Sequence, residues 1–207
     1  MYIDQTLHIY LDELASSNST PGGGSAAAVS GAMGAALACM VCQLTLGKAK
    51  YADVQEEIAT LLQQAEEQRQ RFQQLMAEDI AAYGNLSVSF KLPRETEEQR
   101  EARTAAIQQG LVEAALVPLE MAECANIVAQ ICVRVAEIGN TNVISDIAAS
   151  AMLAASSGTA AAWMVRVNLQ SLKDQEQVAT LSQRLSQALD ALTSRCQKVT
   201  SIVGERA

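Results

Sequence analysis

The stretch STPGGGSAAAVSGAMGAALACMVCQLTLG, residues 19–47, decides the fold of this chain. It opens with one proline and three glycines, and no charged residue lies between Glu13 and Lys48. Ser25 occupies a position typical of a helix N-cap, and nothing after it breaks a helix. The sequence therefore predicts one long helix from Ser25 to about Leu46, and its lack of charge predicts that the helix is buried.

Two faces can be traced along this helix by spacings of three and four residues. One face has almost no side chains and consists of Gly24, Ala27, Gly31, Gly34 and Ala38. The other has larger apolar residues, namely Val29, Met33, Leu37, Met40 and Leu44. We expect the larger residues to fill a core. The small residues let a second backbone approach closely, so we predict a homodimer that uses residues 25–38.

The turn before the helix is a candidate binding site. Glycines leave backbone N–H groups exposed, and the helix dipole adds positive potential at the same point. Gly22, Gly23, Gly24 and Ser25 could therefore bind an anionic or strongly hydrogen-bonding ligand. The alternative is a tight turn that only starts a buried helix, because a glycine-rich turn alone is weak evidence for a site.

Composition limits the class of protein. The chain has 207 residues, of which 49% are hydrophobic but only 3% aromatic. We expect one domain, residues 1–207, with a core built from closely spaced helices. The net charge of −8 argues against nucleic acid as a partner. Residues 22–46 could span a membrane by length, but their Ala, Gly and Ser content favours a buried helix in a soluble, cytoplasmic protein without a membrane partner.

Five cysteines, an odd number, indicate a reducing compartment and free thiols. Cys39 and Cys42 form a CxxC in the middle of an apolar helix without a second pair, and the only histidine, His8, is distant in sequence. We therefore expect core thiols and no metal or redox cofactor.

Helical periodicity continues through the rest of the chain, with no convincing strand. Helices are predicted over residues 3–16, 53–83, about 103–138, 142–173 and 174–203, with residues 84–93 as a connection. The predicted fold is an all-α, single-domain bundle of long and short helices.

Asp79 and Asp146 are carboxylates in otherwise apolar helical surroundings. Burial raises a carboxyl pKa toward values useful for proton transfer, which makes both residues catalytic candidates. The alternative is that each caps or braces a neighbouring helix. Further candidates for substrate binding are Asn140, Asn142 and Ser145, which lie at the turn that precedes Asp146. The remaining candidates are Tyr83, Asn168, Lys48 and Lys91. Their alternatives are turn chemistry for the asparagines, solvation for the lysines and core packing for Tyr83.

Several motifs occur in a specific order: LASSNSTPGGGSAAAVSGAMGAAL, LTLGKAKY, EDIAAY, KLPR, VPLEMAE, GNTNVISD and RVNLQSLKD. In this order and spacing the chain resembles the cyclodeaminase/cyclohydrolase family of folate enzymes. That family includes the C-terminal domain of formiminotransferase-cyclodeaminase and bacterial methenyltetrahydrofolate cyclohydrolases. The resemblance implies an all-helical fold and a tight dimer. One departure is Met164-Val165, where relatives usually carry Asn-Val.

The resemblance implies a folate substrate and, as the first interpretation, conversion of 5-formimino-tetrahydrofolate to 5,10-methenyl-tetrahydrofolate and ammonia. The alternatives are hydrolysis of the methenyl compound to 10-formyl-tetrahydrofolate, or a non-catalytic folate-binding helical module, which Met164 keeps open. Asp79 and Asp146 would divide the proton transfers, and no cofactor would be needed. Lys48 and Lys91, with the N–H groups of residues 22–25, would hold the anionic tail. Both carboxylates would then have to reach the glycine-rich turn, within one subunit or across the dimer.

Overall fold

The helical periodicity of the sequence becomes six α-helices in the computed structural model, which describes residues 2–206. They are α1 (Leu7–Leu14), α2 (Gly23–Gln43), α3 (Gln55–Ser89), α4 (Glu97–Ile138), α5 (Ile144–Gln170) and α6 (Gln175–Arg206). Short 3-10 helices occupy Tyr2–Asp4, Ala49–Val54 and Thr141–Val143. No strand occurs within residues 2–206, so the all-α prediction is confirmed.

The long buried helix is α2, but its start differs from the prediction. Its N-cap residue is Gly22, and Ser25 lies inside the first turn. Gly22 has no side chain to accept a backbone N–H, so the first N–H groups of α2 need an acceptor from another residue or from solvent. The prediction of Ser25 as the N-cap was therefore wrong.

Helix α3 runs through Gly84, where the sequence predicted the start of a connection. A single glycine costs a helix only about 1 kcal/mol relative to alanine. Burial of Leu86, in the same turn as Gly84, offsets that cost because Leu86 packs against Gly110 of α4. Tertiary packing therefore carries the helix past a residue that favours a break.

Four helices pack in a ring, with α2 on α3, α3 on α4, α4 on α5 and α5 back on α2. Helix α6 covers α4 and α5. Two hydrogen bonds fix α5 antiparallel to α2: Ser30 Oγ donates to the Leu153 carbonyl at 3.0 Å, and Ser150 Oγ donates to the Gly34 carbonyl at 2.6 Å. The two helices therefore run side by side for most of their length.

The two faces of α2 are used in the opposite way to the prediction. The small-residue face is buried within the chain, because a Cβ on Gly31 would collide with the ring of Phe72 in α3. The larger residues point outward, with Met33 49%, Met40 36% and Leu44 40% exposed. Small residues bring α3 and α5 close to the α2 backbone, which leaves the larger side chains outside. The predicted dimer contact through residues 25–38 was thus placed on a face that the chain itself already covers.

The five cysteines are free and buried, as predicted. Burial raises the pKa of Cys39 and of Cys42 to about 12, so both thiols stay protonated at neutral pH.

The structure also contains three helical segments, Gly23–Gln43, Glu97–Ile138 and Thr141–Gln170, that could cross a membrane by length and composition alone.

Candidate active site

A cleft of about 170 Å³ opens where the N-terminal end of α2 meets α3, α4 and α5. Of the predicted site residues, it brings together Gly22, Gly23, Gly24, Asp79, Tyr83 and Asn168. Tyr83 is 47% exposed on its wall, so it is not the core residue of the alternative interpretation. A larger hollow of about 430 Å³ lies between the N-terminal segment and α3, but its mostly apolar lining includes none of the predicted residues. The smaller cleft is therefore the candidate site.

Asp79 of α3 supplies the cap that α2 lacks. Its carboxylate packs against Gly24 and lies close enough to the backbone N–H of Ser25 for that N–H to lower the carboxyl pKa. Gly24 makes this possible, because a Cβ at that position would occupy the space of the Asp79 carboxylate. The glycine-rich turn is thus needed for the close approach of a carboxylate from a neighbouring helix, and the positive end of the α2 dipole favours that charge.

The same environment tunes the acidity of Asp79. Burial raises the pKa of its carboxyl above the ordinary value, and the Ser25 N–H acts in the opposite direction. No ion pair within residues 2–206 includes Asp79. Its neighbour Glu78 is instead bound by Arg71, which also bonds Glu120 of α4. A half-buried carboxyl with a raised pKa, at the wall of a cleft, is suited to accept and return a proton.

Tyr10 of α1 contacts the first turn of α2 next to this site, and sequence reasoning missed it. Its hydroxyl lies 3.2 Å from Ser25 Oγ, and both side chains are buried. Burial raises the Tyr10 pKa, and the negative charge of Asp79 raises it further. The sequence predicted only a helix over residues 3–16 here. A buried polar tip next to Ser25 depends on the packing of α1, which no local pattern indicates.

Helix α5 forms the opposite wall through Met164 and Asn168. The Met164 methyl lies 3.5 Å from the place where a Cβ on Gly23 would stand, so the thioether covers the glycine turn. Asn168 Nδ2 donates to the carbonyls of Ala114 at 2.8 Å and of Met164 at 2.9 Å. The departure at Met164 that the sequence singled out therefore faces the cleft itself.

The turn around Asn140 lies at the other end of α2 and is closed by hydrogen bonds within the chain. Asn140 N donates to Thr45 Oγ1 at 3.0 Å, and its Nδ2 donates to the Leu44 carbonyl at 2.9 Å. Its Oδ1 accepts from the backbone N–H of Asn142 at 3.1 Å and from the Tyr51 hydroxyl at 3.4 Å. Asn140 is 2% exposed, so it ties the end of α2 to the start of α5.

Asp146, Asn142, Ser145 and Lys48 also lie at that far end. Asp146 precedes Met164 by 18 positions on α5, or about 27 Å at the rise of an α-helix. Asp79 and Asp146 therefore do not converge on the glycine-rich turn within one chain. Lys91 follows the end of α3, on the side of the cleft, and is exposed.

Metal ligation was not expected from the sequence. Within residues 2–206, no group of three or more His, Cys, Asp and Glu side chains is placed to hold an ion. That no cofactor is needed stays a prediction that an assay must test.

Comparisons with known proteins agree with the motifs. A family model described as formiminotransferase-cyclodeaminase matches residues 6–187. A methenyltetrahydrofolate cyclohydrolase of Methylorubrum extorquens is 42% identical over 83% of this chain and 82% of its own length. A formimidoyltransferase-cyclodeaminase of Rattus norvegicus is 31% identical over 83% of this chain, which spans only 32% of that longer protein. The crystal structure of formiminotetrahydrofolate cyclodeaminase from Thermotoga maritima superposes with a TM-score of 0.90 and 26% identity, over 99% of this chain and 98% of that chain.

Proposed function

This chain belongs to the formiminotransferase-cyclodeaminase family, and from that premise we propose that it is an enzyme acting on the one-carbon unit of a tetrahydrofolate. The observation that carries the proposal is Asp79, a half-buried carboxyl with a raised pKa at the wall of a cleft. As the leading reaction we propose hydrolysis of 5,10-methenyl-tetrahydrofolate to 10-formyl-tetrahydrofolate. Its support is the 42% identity to a cyclohydrolase that this chain covers over 82% of its length.

The proposed reaction needs one proton to be taken up and returned. Asp79 accepts a proton from water as the water oxygen attacks the methenyl carbon, which carries the positive charge of the amidinium. It then returns that proton to N5 as the bond between carbon and N5 breaks. The second water proton leaves to solvent as the formyl C=O forms, so one proton is released per turnover. The ionised carboxylate also faces the cationic substrate, which favours binding of that cation beside the base.

Cyclodeamination is the second candidate, and the likeness to the Thermotoga maritima cyclodeaminase favours it. Here N10 attacks the formimino carbon, and the proton that N10 loses passes to the departing nitrogen. One further proton from solvent completes ammonia. Asp79 would carry the first of these protons, so one site serves both reactions.

An assay of the purified chain separates the possibilities. It is given methenyl-tetrahydrofolate in one arm and 5-formimino-tetrahydrofolate in the other, and the absorbance of the methenyl chromophore is followed. Decay above the buffer-catalysed rate supports hydrolysis, and appearance of the chromophore supports deamination. Folate binding without either change would favour the non-catalytic module. Dialysis against a chelator should leave the rate unchanged, because the proposed chemistry needs no cofactor.

We also propose that the protein works as a homodimer through the outward faces of α2 and α5. Met33 and Met40 of α2 are exposed there, as are Met152 and Trp163 of α5, with Trp163 59% exposed. Exposed apolar patches of this kind mark interaction surfaces. In a twofold contact the same face pairs with itself, so an antiparallel arrangement sets the Asp146 end of one copy beside the glycine-rich turn of its partner. Such a dimer would unite the two predicted carboxylates.

Mixing two inactive variants tests this arrangement. Asp79→Asn and Asp146→Asn are unfolded together in equal amounts and refolded. If each site takes one carboxylate from each copy, half of the dimers are mixed and each mixed dimer regains one of two sites, which gives about a quarter of wild-type activity. If the mixture stays as inactive as its parents, the shared site is wrong.

A further inference from the structure

Asn168 presents a fixed acceptor to the cleft. Both of its amide N–H groups are occupied, because Nδ2 donates to the Ala114 and Met164 carbonyls. Turning the amide over would place Oδ1 against two carbonyl oxygens, which the chemistry of the group forbids. No donor within residues 2–206 hydrogen-bonds Oδ1. The one polar atom that Asn168 can offer a ligand is therefore an oxygen that only accepts.

The surroundings of Asn168 define what kind of group can reach it. Met164, Ala82 and Ala114 line the same cleft and contribute apolar surface. A volume of about 170 Å³ is below the range of roughly 300–1,000 Å³ typical of sites for whole drug-sized ligands. The cleft can enclose a flat heterocycle, whereas a long flexible tail must lie outside it. A thioether such as that of Met164 packs well against an aromatic ring.

Resting on the folate function proposed above, we propose that Asn168 determines specificity for the ring of the substrate. Its Oδ1 accepts a hydrogen bond from the donor edge that N3–H and the 2-amino group form on the pterin. Met164 packs against the flat ring beside it. A ring that offers acceptors along this edge would face Oδ1 oxygen to oxygen and be rejected, since a site with a fixed polar group discriminates strongly against a ligand that leaves it unpaired.

The test changes the ligand first, so that it does not depend on a variant that folds. Binding to the wild-type protein is measured by calorimetry with a quinazoline analogue of folate and with two counterparts. In one a methyl group replaces the 2-amino group, and in the other N3 carries a methyl group. We expect at least one counterpart to bind about 10-fold more weakly, as for the loss of one well-placed hydrogen bond.

Variants then assign the effect to Asn168. In Asn168→Leu the dissociation constants of the parent analogue and of the weakened counterpart should become about equal, a ratio of about 1. The reason is that the variant has no acceptor for the donor edge. Gln170→Leu is the matched control, since Gln170 lies on the same helix, is exposed and does not line the cleft. It should keep the wild-type ratio.

The outcomes separate this inference from the proposed function. Equal binding of all three analogues by the wild-type protein overturns the role of Asn168 while the folate function stands. A ratio that Asn168→Leu leaves unchanged also overturns it. Failure of the wild-type protein to bind any of the three overturns the folate function and this inference together.

Discussion

A turn that the sequence marked as a candidate site lies at each end of α2, and the two turns differ in what their polar groups touch. At the N-terminal end, the glycine-rich turn borrows a carboxylate from α3, and a cleft lies beside it. At the C-terminal end, Asn140 has a partner within the chain for each of its polar groups. A turn whose polar groups all bond within the chain holds helices together, whereas a turn with free polar capacity can bind a ligand. The internal hydrogen bonds distinguish the two better than the composition of the motif does.

This contrast also says what each end can do for function. A saturated residue can hold two helices together but has little left to offer a ligand. Asp79 has one internal donor, Ser25 N–H, and keeps capacity for a second partner. Changes at Asp79 should therefore act on turnover, and changes that remove the saturated contacts of Asn140 should act on stability.

The largest expected effect is at Asp79. Asp79→Asn keeps the shape and the acceptor for Ser25 N–H but removes the base, so kcat should fall by at least about 100-fold. Wild-type activity should fall as the pH drops through the raised Asp79 pKa. This acidic limb of the pH–rate profile should be absent in Asp79→Asn. Steady-state rates over a range of pH give both results. Asp53 is an exposed carboxylate beyond the C-terminal end of α2, and Asp53→Asn should change neither kcat nor the pH dependence. Near-full activity of Asp79→Asn would make this residue a structural brace.

The stability of the same variant provides a control on folding. The pKa of Asp79 is higher in the folded chain than in the unfolded one, so the ionised carboxylate costs stability above that pKa. Asp79→Asn should therefore melt at the wild-type temperature or higher at neutral pH, and the gain should shrink as the pH falls through the raised pKa. A lowered melting temperature would show that the lost activity reflects damage to the fold.

The second effect is at Asn140, beside the C-terminal end of α2. Asn140→Ala leaves several buried partners unpaired and should lower the free energy of unfolding by about 2 kcal/mol, measured by urea denaturation. Asn85→Ala, an exposed change in α3, should leave it unchanged. If the Asn140 variant lost turnover and kept its stability, the distinction between the two ends would be wrong.

The all-α fold class could be predicted from the sequence, because helical periodicity and the absence of charge can be recognised within each segment alone. The sequence placed α2, α5 and α6 within a few residues, and it placed Asp79 and the glycine-rich turn among the candidates. It assigned the faces of α2 wrongly, because spacing shows which residues share a face but not which neighbour covers it. It could not show that Asp79 caps α2, since a contact between residues so far apart in the chain depends on how α3 packs.

A smaller effect is expected at Tyr10. Tyr10→Phe keeps the buried ring but removes the hydroxyl next to Ser25 Oγ, which loosens the first turn that holds Asp79. We expect kcat to fall about 10-fold, in line with the loss of one buried hydrogen bond, while KM stays nearly constant. Tyr2→Phe is the control, because the Tyr2 ring packs edge-on against Tyr10 at 6.2 Å between centroids. A lower melting temperature with unchanged kcat would limit Tyr10 to packing.

The smallest effect concerns the two lysines, one near each end of α2. The folate tail is anionic and the chain has a net charge of −8, so a local cation should assist binding. Lys91 lies eight residues past Tyr83 in the chain, or about 12 Å at helical rise. Lys91→Ala should raise KM about 3-fold with kcat unchanged, as for the loss of one exposed ion pair, and added salt should shrink the difference.

Lys48→Ala is the comparison that distinguishes a site within one chain from a shared site, because Lys48 follows the opposite end of α2. Within one chain α2 separates it from the cleft by 21 residues, or about 30 Å of helix, so KM should stay at the wild-type value if each chain builds its own site. If Lys48→Ala raises KM as much as Lys91→Ala does, the far end of a partner must reach the cleft. The same pair of variants would then support the shared site, because charge at about 30 Å is screened in ordinary buffer and only a second copy could bring Lys48 within range.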